Sequence, residues 1–124
     1  MSMNIIKINK GDSFSFNIRI PLVTDYTKNY ILTPRDAVYF ALLYPNQPFE
    51  DALILRGYTL EDQDIESGEI TIKITPNDTR HLAPGVYYYT IKLQRGGTLE
   101  VVGDCDEPDE VRTIIERTKF IINE

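Results

Sequence analysis

Residues 69–93 read E-I-T-I-K-I-T-P-N-D-T-R-H-L-A-P-G-V-Y-Y-Y-T-I-K-L. Two alternating runs flank one short turn. Before it, Ile70, Ile72 and Ile74 share one side of an extended chain; after it, Tyr87, Tyr89, Ile91 and Leu93 do the same. Pro76 cannot continue a ladder. Asn77 or Asp78 is placed to cap one helical turn, each such cap being worth about 1 kcal/mol. Leu82 is expected to tuck beneath as a plug and Gly85 to take a positive φ that aims the chain into the next strand. Tyr87 can then return its hydroxyl to a backbone group of the turn. The prediction is an all-β chain that passes from one sheet to another through a helical turn near 77–82, with Asp78, Leu82, Gly85 and Tyr87 as the structural residues of that corner.

The rest of the chain has the same character. Ile5, Ile6 and Ile8 suggest a first strand. In 13–20, Phe14, Phe16, Ile18 and Ile20 alternate with Ser13, Ser15, Asn17 and Arg19, and Pro21 ends the run. Residues 22–34 read as a polar loop or bulged edge. The stretch 36–44 is apolar at nearly every position, as expected of a strand covered on both faces or resting on a partner. Pro45 and Pro48 force a turn, 52–55 reads as a short strand, and 58–68 as an acidic connection. Gly96-Gly97 signals a hairpin, with 98–102 returning. An acidic loop at 103–111 and a last strand at 113–122 close the chain. About 7–9 short strands, with turns every 8–12 residues, predict a single antiparallel β-sandwich domain over 1–124. Its expected core includes Phe14, Phe16, Phe40, Ile72, Ile74 and Tyr89.

A chain of 124 residues can bury a sizeable core without staples. Its one cysteine, Cys105, rules out an internal disulfide and fits a reducing cytoplasm. No apolar run approaches the roughly 18 residues a membrane helix needs, and 1–10 carries no pattern of a signal peptide. The net charge of −6 is uneven: residues 1–57 carry six Lys/Arg against five Asp/Glu, and 58–124 carry seven against fourteen. An acidic chain repels phosphate backbones and anionic lipid, so neither nucleic acid nor membrane is an expected partner.

Catalytic constellations are poor, and no enzyme is expected. His81 is the only histidine and is expected to be a surface residue of the turn; without a second, no His-based metal site or triad follows. Cys105 lies among Asp104, Asp106, Glu107, Asp109 and Glu110, whose charges suppress thiolate. That loop, and the cluster Glu61, Asp62, Asp64 and Glu66, have carboxylates for Ca²⁺ but no EF-hand pattern, and are expected to be solvated. No metal and no cofactor are expected. Tyr26, Tyr30, Tyr39 and Tyr88 are candidates for a subunit interface or, alternatively, a glycan platform.

The chain resembles the immunoglobulin-like β-sandwich domains of tailed-phage virion proteins, most closely the N-terminal domain of baseplate upper proteins and related tail or head-fibre proteins. The residues that carry the resemblance are G-D-S-F-S-F at 11–16, L-T-P-R-D-A at 32–37 leading into an aromatic-apolar strand, the I-x-I…D-T-x-x-L-x-P-G-x-Y-x-Y-x-I-x-L pattern at 72–93, and the terminal T-I-x-x-x-x-F-x-I strand at 113–121, here in an altered register with Ile114, Phe120 and Ile122 as the apolar positions. Tyr89 falls where antibody domains place their second cysteine, so packing alone must close the sheets. The resemblance implies a virion structural subunit, made in the bacterial host cytoplasm. It would dock on other virion proteins, with a homo-oligomer as a further expectation. The alternative is a carbohydrate-binding module for host surface glycans.

Overall fold

The computed structural model describes residues 5–22, 27–95 and 110–124. Tyr26, Cys105, the Gly96-Gly97 hairpin, the strand at 98–102 and the acidic stretch 103–109 lie outside the described residues. Seven strands are present among those described: β1 (Ile6–Asn9), β2 (Phe14–Arg19), β3 (Ala37–Leu43), β4 (Ile54–Tyr58), β5 (Glu69–Ile74), β6 (Gly85–Arg95) and β7 (Glu110–Asn123). One helical turn, α1 (Pro76–Thr79), links β5 to β6, one residue earlier and shorter than the 77–82 expected. The chain is mostly β.

The strands form a five-stranded sheet in the order β1-β7-β6-β3-β4 and a two-stranded sheet of β2 and β5. Pairing is antiparallel with one exception that corrects the all-antiparallel expectation. β1 runs parallel to β7, placing Ile6 opposite Phe120 and Ile8 opposite Ile122. Parallel neighbours need a long crossover, and here nearly the whole chain supplies it. The alternation of β2 and β5 sets their register, with Phe14 opposite Ile74, Phe16 opposite Ile72 and Ile18 opposite Ile70; a slip of one residue would turn both apolar rows to water.

The core lies between the sheets. Ile18, Ile70, Ile72 and Ile74 face Val38, Phe40, Leu42, Tyr89, Ile91 and Phe120. Tyr89 stands at its centre, with ring centroids 6.0 Å from Phe16, 6.0 Å from Phe40 and 6.2 Å from Phe120. Phe14 and Phe16 differ from the expected core residues: both pack against the cluster but are only half-buried. They sit on the narrower sheet, which has no strand beyond β2 among the described residues to cover them.

All seven residues of β3 are buried, which explains a strand without alternation. Val38, Phe40 and Leu42 face the core. Ala37, Tyr39, Ala41 and Leu43 take the opposite face. The 3₁₀ turn Phe49–Asp51 packs over that outer face, where Lys92, the β6 residue opposite Tyr39, holds its ammonium 4.6 Å from the centre of the Phe49 ring. β4 begins later than the expected 52–55 strand, because Phe49–Asp51 coils first and Leu53 then bonds back to Leu42 O at 2.8 Å. β7 starts before the expected 113–122, at Glu110.

The connections are tied down by one buried amide. Gln63 accepts the Leu32 amide at 2.8 Å and donates to Tyr30 O at 3.1 Å and Gly68 O at 3.0 Å.

Candidate functional site

The corner between β5 and β6 is built from its cap upward. Thr75 and Asp78 form a reciprocal capping box, and Pro76 begins the helical turn, where its missing N–H costs nothing. Asp78 Oδ2 accepts the Thr75 amide at 2.7 Å. The same carboxylate takes both arms of the Arg56 guanidinium, at 2.7 and 3.0 Å. Arg56 also donates to Lys73 O at 2.5 Å, and the neighbouring Tyr58 hydroxyl accepts the Lys73 amide at 3.2 Å. Two side chains of β4 thereby occupy backbone groups of the opposing sheet. On the far side, Thr79 is buried and its Oγ1 accepts the Gly11 amide at 3.2 Å.

Burial pushes the Asp78 carboxyl up, but the Arg56 guanidinium and the Thr75 groups outweigh it and hold its pKa below the ordinary 3.8. Asp78 in turn holds the Arg56 guanidinium above its ordinary value, against burial.

Leu82 is half-buried against the core and Gly85 enters β6 at φ 156°, a conformation that L side chains rarely adopt. The Tyr87 hydroxyl donates to Ala83 O at 2.5 Å, four residues upstream, while its ring packs 5.4 Å from that of Tyr44. Tyr87→Phe is expected to lower stability by about 1 kcal/mol, the usual net value of one such bond. An unchanged denaturation midpoint would show that the hydroxyl does not hold the turn.

The tyrosines that are candidates for an interface or a glycan platform separate. Tyr39 is corrected: it is 2% exposed, enclosed on the outer face of β3. An all-apolar strand does not reveal which of its faces is open. Tyr30 is half-buried in the loop before β3, donating its hydroxyl to Asp36 Oδ2 at 2.5 Å, with the Arg95 guanidinium 5.2 Å from its ring centre. Asp36 Oδ2 also accepts the Thr33 amide at 2.9 Å, which accounts for the T-P-R-D turn. Burial, then Asp36, raises the Tyr30 pKa above its ordinary value. Tyr88 borders an open concavity.

That concavity is a shallow cleft of about 630 Å³ at one end of the five-stranded sheet, lined by Pro45, Asn46, Gln47, Pro48, Tyr88 and Arg117. Asn46 reaches φ 63° to make the turn between the prolines. Gln47 is committed internally, accepting the Tyr44 amide at 2.9 Å and donating to Asp51 O at 2.6 Å. Arg117 donates one arm to Gln47 O at 2.6 Å. The cleft offers a ring, two proline faces and a guanidinium, the equipment for docking a polar or planar group. Among the described residues no carboxylate lines it.

His81 is exposed and accepts a hydrogen bond from Arg80 Nε at 3.3 Å. Among the described residues no three His, Cys, Asp or Glu side chains converge to hold a metal ion. In the 58–68 connection, Asp62 bonds the Thr59 amide and Asp64 the Glu66 amide, so these carboxylates serve the turns they lie in. No helix among the described residues is long and apolar enough to cross a membrane.

Sequence reasoning missed the Arg56–Asp78 pair, the Gln63 amide and the Arg117–Gln47 contact. Their partners lie 22, 31 and 70 residues apart, and no spacing signals such pairs. An arginine within the otherwise apolar β4 is the only hint. In comparisons with known proteins, no family model, no curated protein and no solved structure matches the chain.

Proposed function

We propose that the chain is an immunoglobulin-like β-sandwich that serves, without catalysis, as a structural subunit of a tailed-phage virion. The strand order carries the fold reading. β4, β3, β6 and β7 run in the order C′, C, F, G of the larger sheet of such domains, and β2 with β5 takes the place of B and E in the other. The tyrosine that bonds back into the preceding turn stands near the start of β6, the strand that corresponds to F. The virion role rests on the sequence resemblance at 11–16, 32–37, 72–93 and 113–121, since fold alone implies no function. Its work is docking on other virion proteins, in many copies, through flat sheet faces and loops. Mass spectrometry of purified particles from the source strain tests this. Peptides of this chain should travel with the particles through a density gradient; a chain expressed but confined to the soluble lysate overturns the assignment.

One observation favours a second reading. The Tyr88–Arg117 cleft has the ring and the donors that a sugar needs, and a host surface glycan is the alternative ligand. Silence of the purified protein on a glycan array, or binding unchanged by Tyr88→Ala, removes it.

A further inference from the structure

The two edges of the β2–β5 sheet are built differently. On the β5 side, Glu69 O accepts the Asp64 amide at 2.8 Å, and Lys73 is bonded at both N–H and C=O by Tyr58 and Arg56. The inward residues of β5 are sealed, with Ile70, Ile72 and Ile74 at 0, 0 and 1% exposure. On the β2 side, no strand other than β5 pairs with Phe14–Arg19 among the described residues. The 28–30 segment, which bonds Ile20 and Leu22, sits at the start of β5, where Asn29 packs on Gly68 and donates to Ser67 O at 2.9 Å. Phe14 and Phe16 face the same core as the β5 isoleucines yet stay half-buried. Among the described residues, the gap in the core wall therefore lies beside β2.

Among the described residues this edge also lacks the usual protection. Proteins blunt open edges with lysines, prolines or bulges. The outward residues here are Ser13, Ser15, Asn17 and Arg19, with a single charge among them and no proline before Pro21.

We propose that the β2 edge pairs with β2 of a second copy of this chain, antiparallel about a two-fold axis at Phe16, to give one four-stranded sheet in the order β5-β2-β2-β5. The strand is complementary to itself in that arrangement. Opposed residues share a face: Phe14 meets Ile18 of the second copy and Phe16 meets Phe16, closing the core wall. On the outer face Ser15 meets Asn17 and Ser13 meets Arg19. No like charges oppose across the seam, and the contact is isologous and ends at two copies. The inference does not depend on the virion assignment, since it rests on the β2 edge alone.

Light scattering of the purified protein over a wide concentration range tests it, together with two charge variants. Wild type should reach twice the chain mass. Ser15→Lys/Asn17→Lys and Ser15→Glu/Asn17→Glu should each stay monomeric, because each places like charges across the seam, and an equimolar mixture of the two should recover the dimer. A wild type that is monomeric throughout, a dimer that survives both variants, or a mixture that stays monomeric each overturns the proposal. Hydrogen exchange reads the same edge without mutation. Amides within 14–19 should gain protection as wild-type concentration rises, and protection independent of concentration counts against pairing.

Discussion

Tyr89→Ala is expected to lower the unfolding free energy by about 4 kcal/mol, the range for removing a large ring from a packed core. Tyr89 is fully buried and touches Phe16 of one sheet as well as Phe40 and Phe120 of the other. Its loss opens a cavity where the two layers meet, and no neighbour can collapse into it without leaving its own strand. Urea denaturation checks this, and a loss under about 1 kcal/mol would mean that the layers do not depend on the ring. Tyr89→Phe keeps the packing and should cost far less. The phenol also ties stability to alkaline pH: burial pushes its pKa from 10.0 up to about 12. A folded value above the unfolded one gives stability that is complete below pH 10 and is lost as pH rises toward 12. Tyr89→Phe should flatten that part of the profile.

Asp78→Ala is expected to cost about 2 to 3 kcal/mol, because it leaves Arg56 beneath the turn without its counter-charge and removes the cap on Thr75. The estimate stands below that for a fully buried pair since the side chains of Arg56 and Asp78 are 33% and 13% exposed. The acid limb carries the signature. The Asp78 pKa is lower folded than unfolded, so the unfolded chain binds more protons as pH drops. The contribution is complete above the ordinary 3.8 and disappears as pH falls through the folded value. Wild type should therefore gain stability with rising pH in this window more steeply than the variant. Parallel curves would mean the ion pair is only a surface contact.

The sequence disclosed the strands whose partners lie close along the chain or whose two faces differ in polarity. β2, β5 and β6 alternate, and Pro76 with Asp78 marks the turn that links the last two. β3 was legible as a doubly covered strand, but its face labels were not. Alanine, tyrosine and leucine on one side look no different from valine, phenylalanine and leucine on the other, and Tyr39 was misplaced for that reason. The parallel seat of β1 beside β7 was equally silent, since isoleucines at 6 and 8 would suit any apolar neighbour. Half-burial of Phe14 and Phe16 follows from how many strands the narrower sheet has, a property of the assembled layers and not of the segment. Of the corner, the tyrosine and the acid of the capping box could be read from local chemistry, but the N-cap itself is Thr75, not Asn77 or Asp78. Arg56 could not, because its carboxylate partner is fixed by how β4 lies across β5.

Gln63 joins the loop before β3 to the connection before β5 through a single side chain. Releasing either loop leaves a buried amide and a backbone group without partners, at about 1–3 kcal/mol each. The two loops therefore open together or not at all, as one cooperative unit. A change in 60–68 would be felt at 30–32, on the far side of that amide, and a partner gripping one loop would stiffen the other.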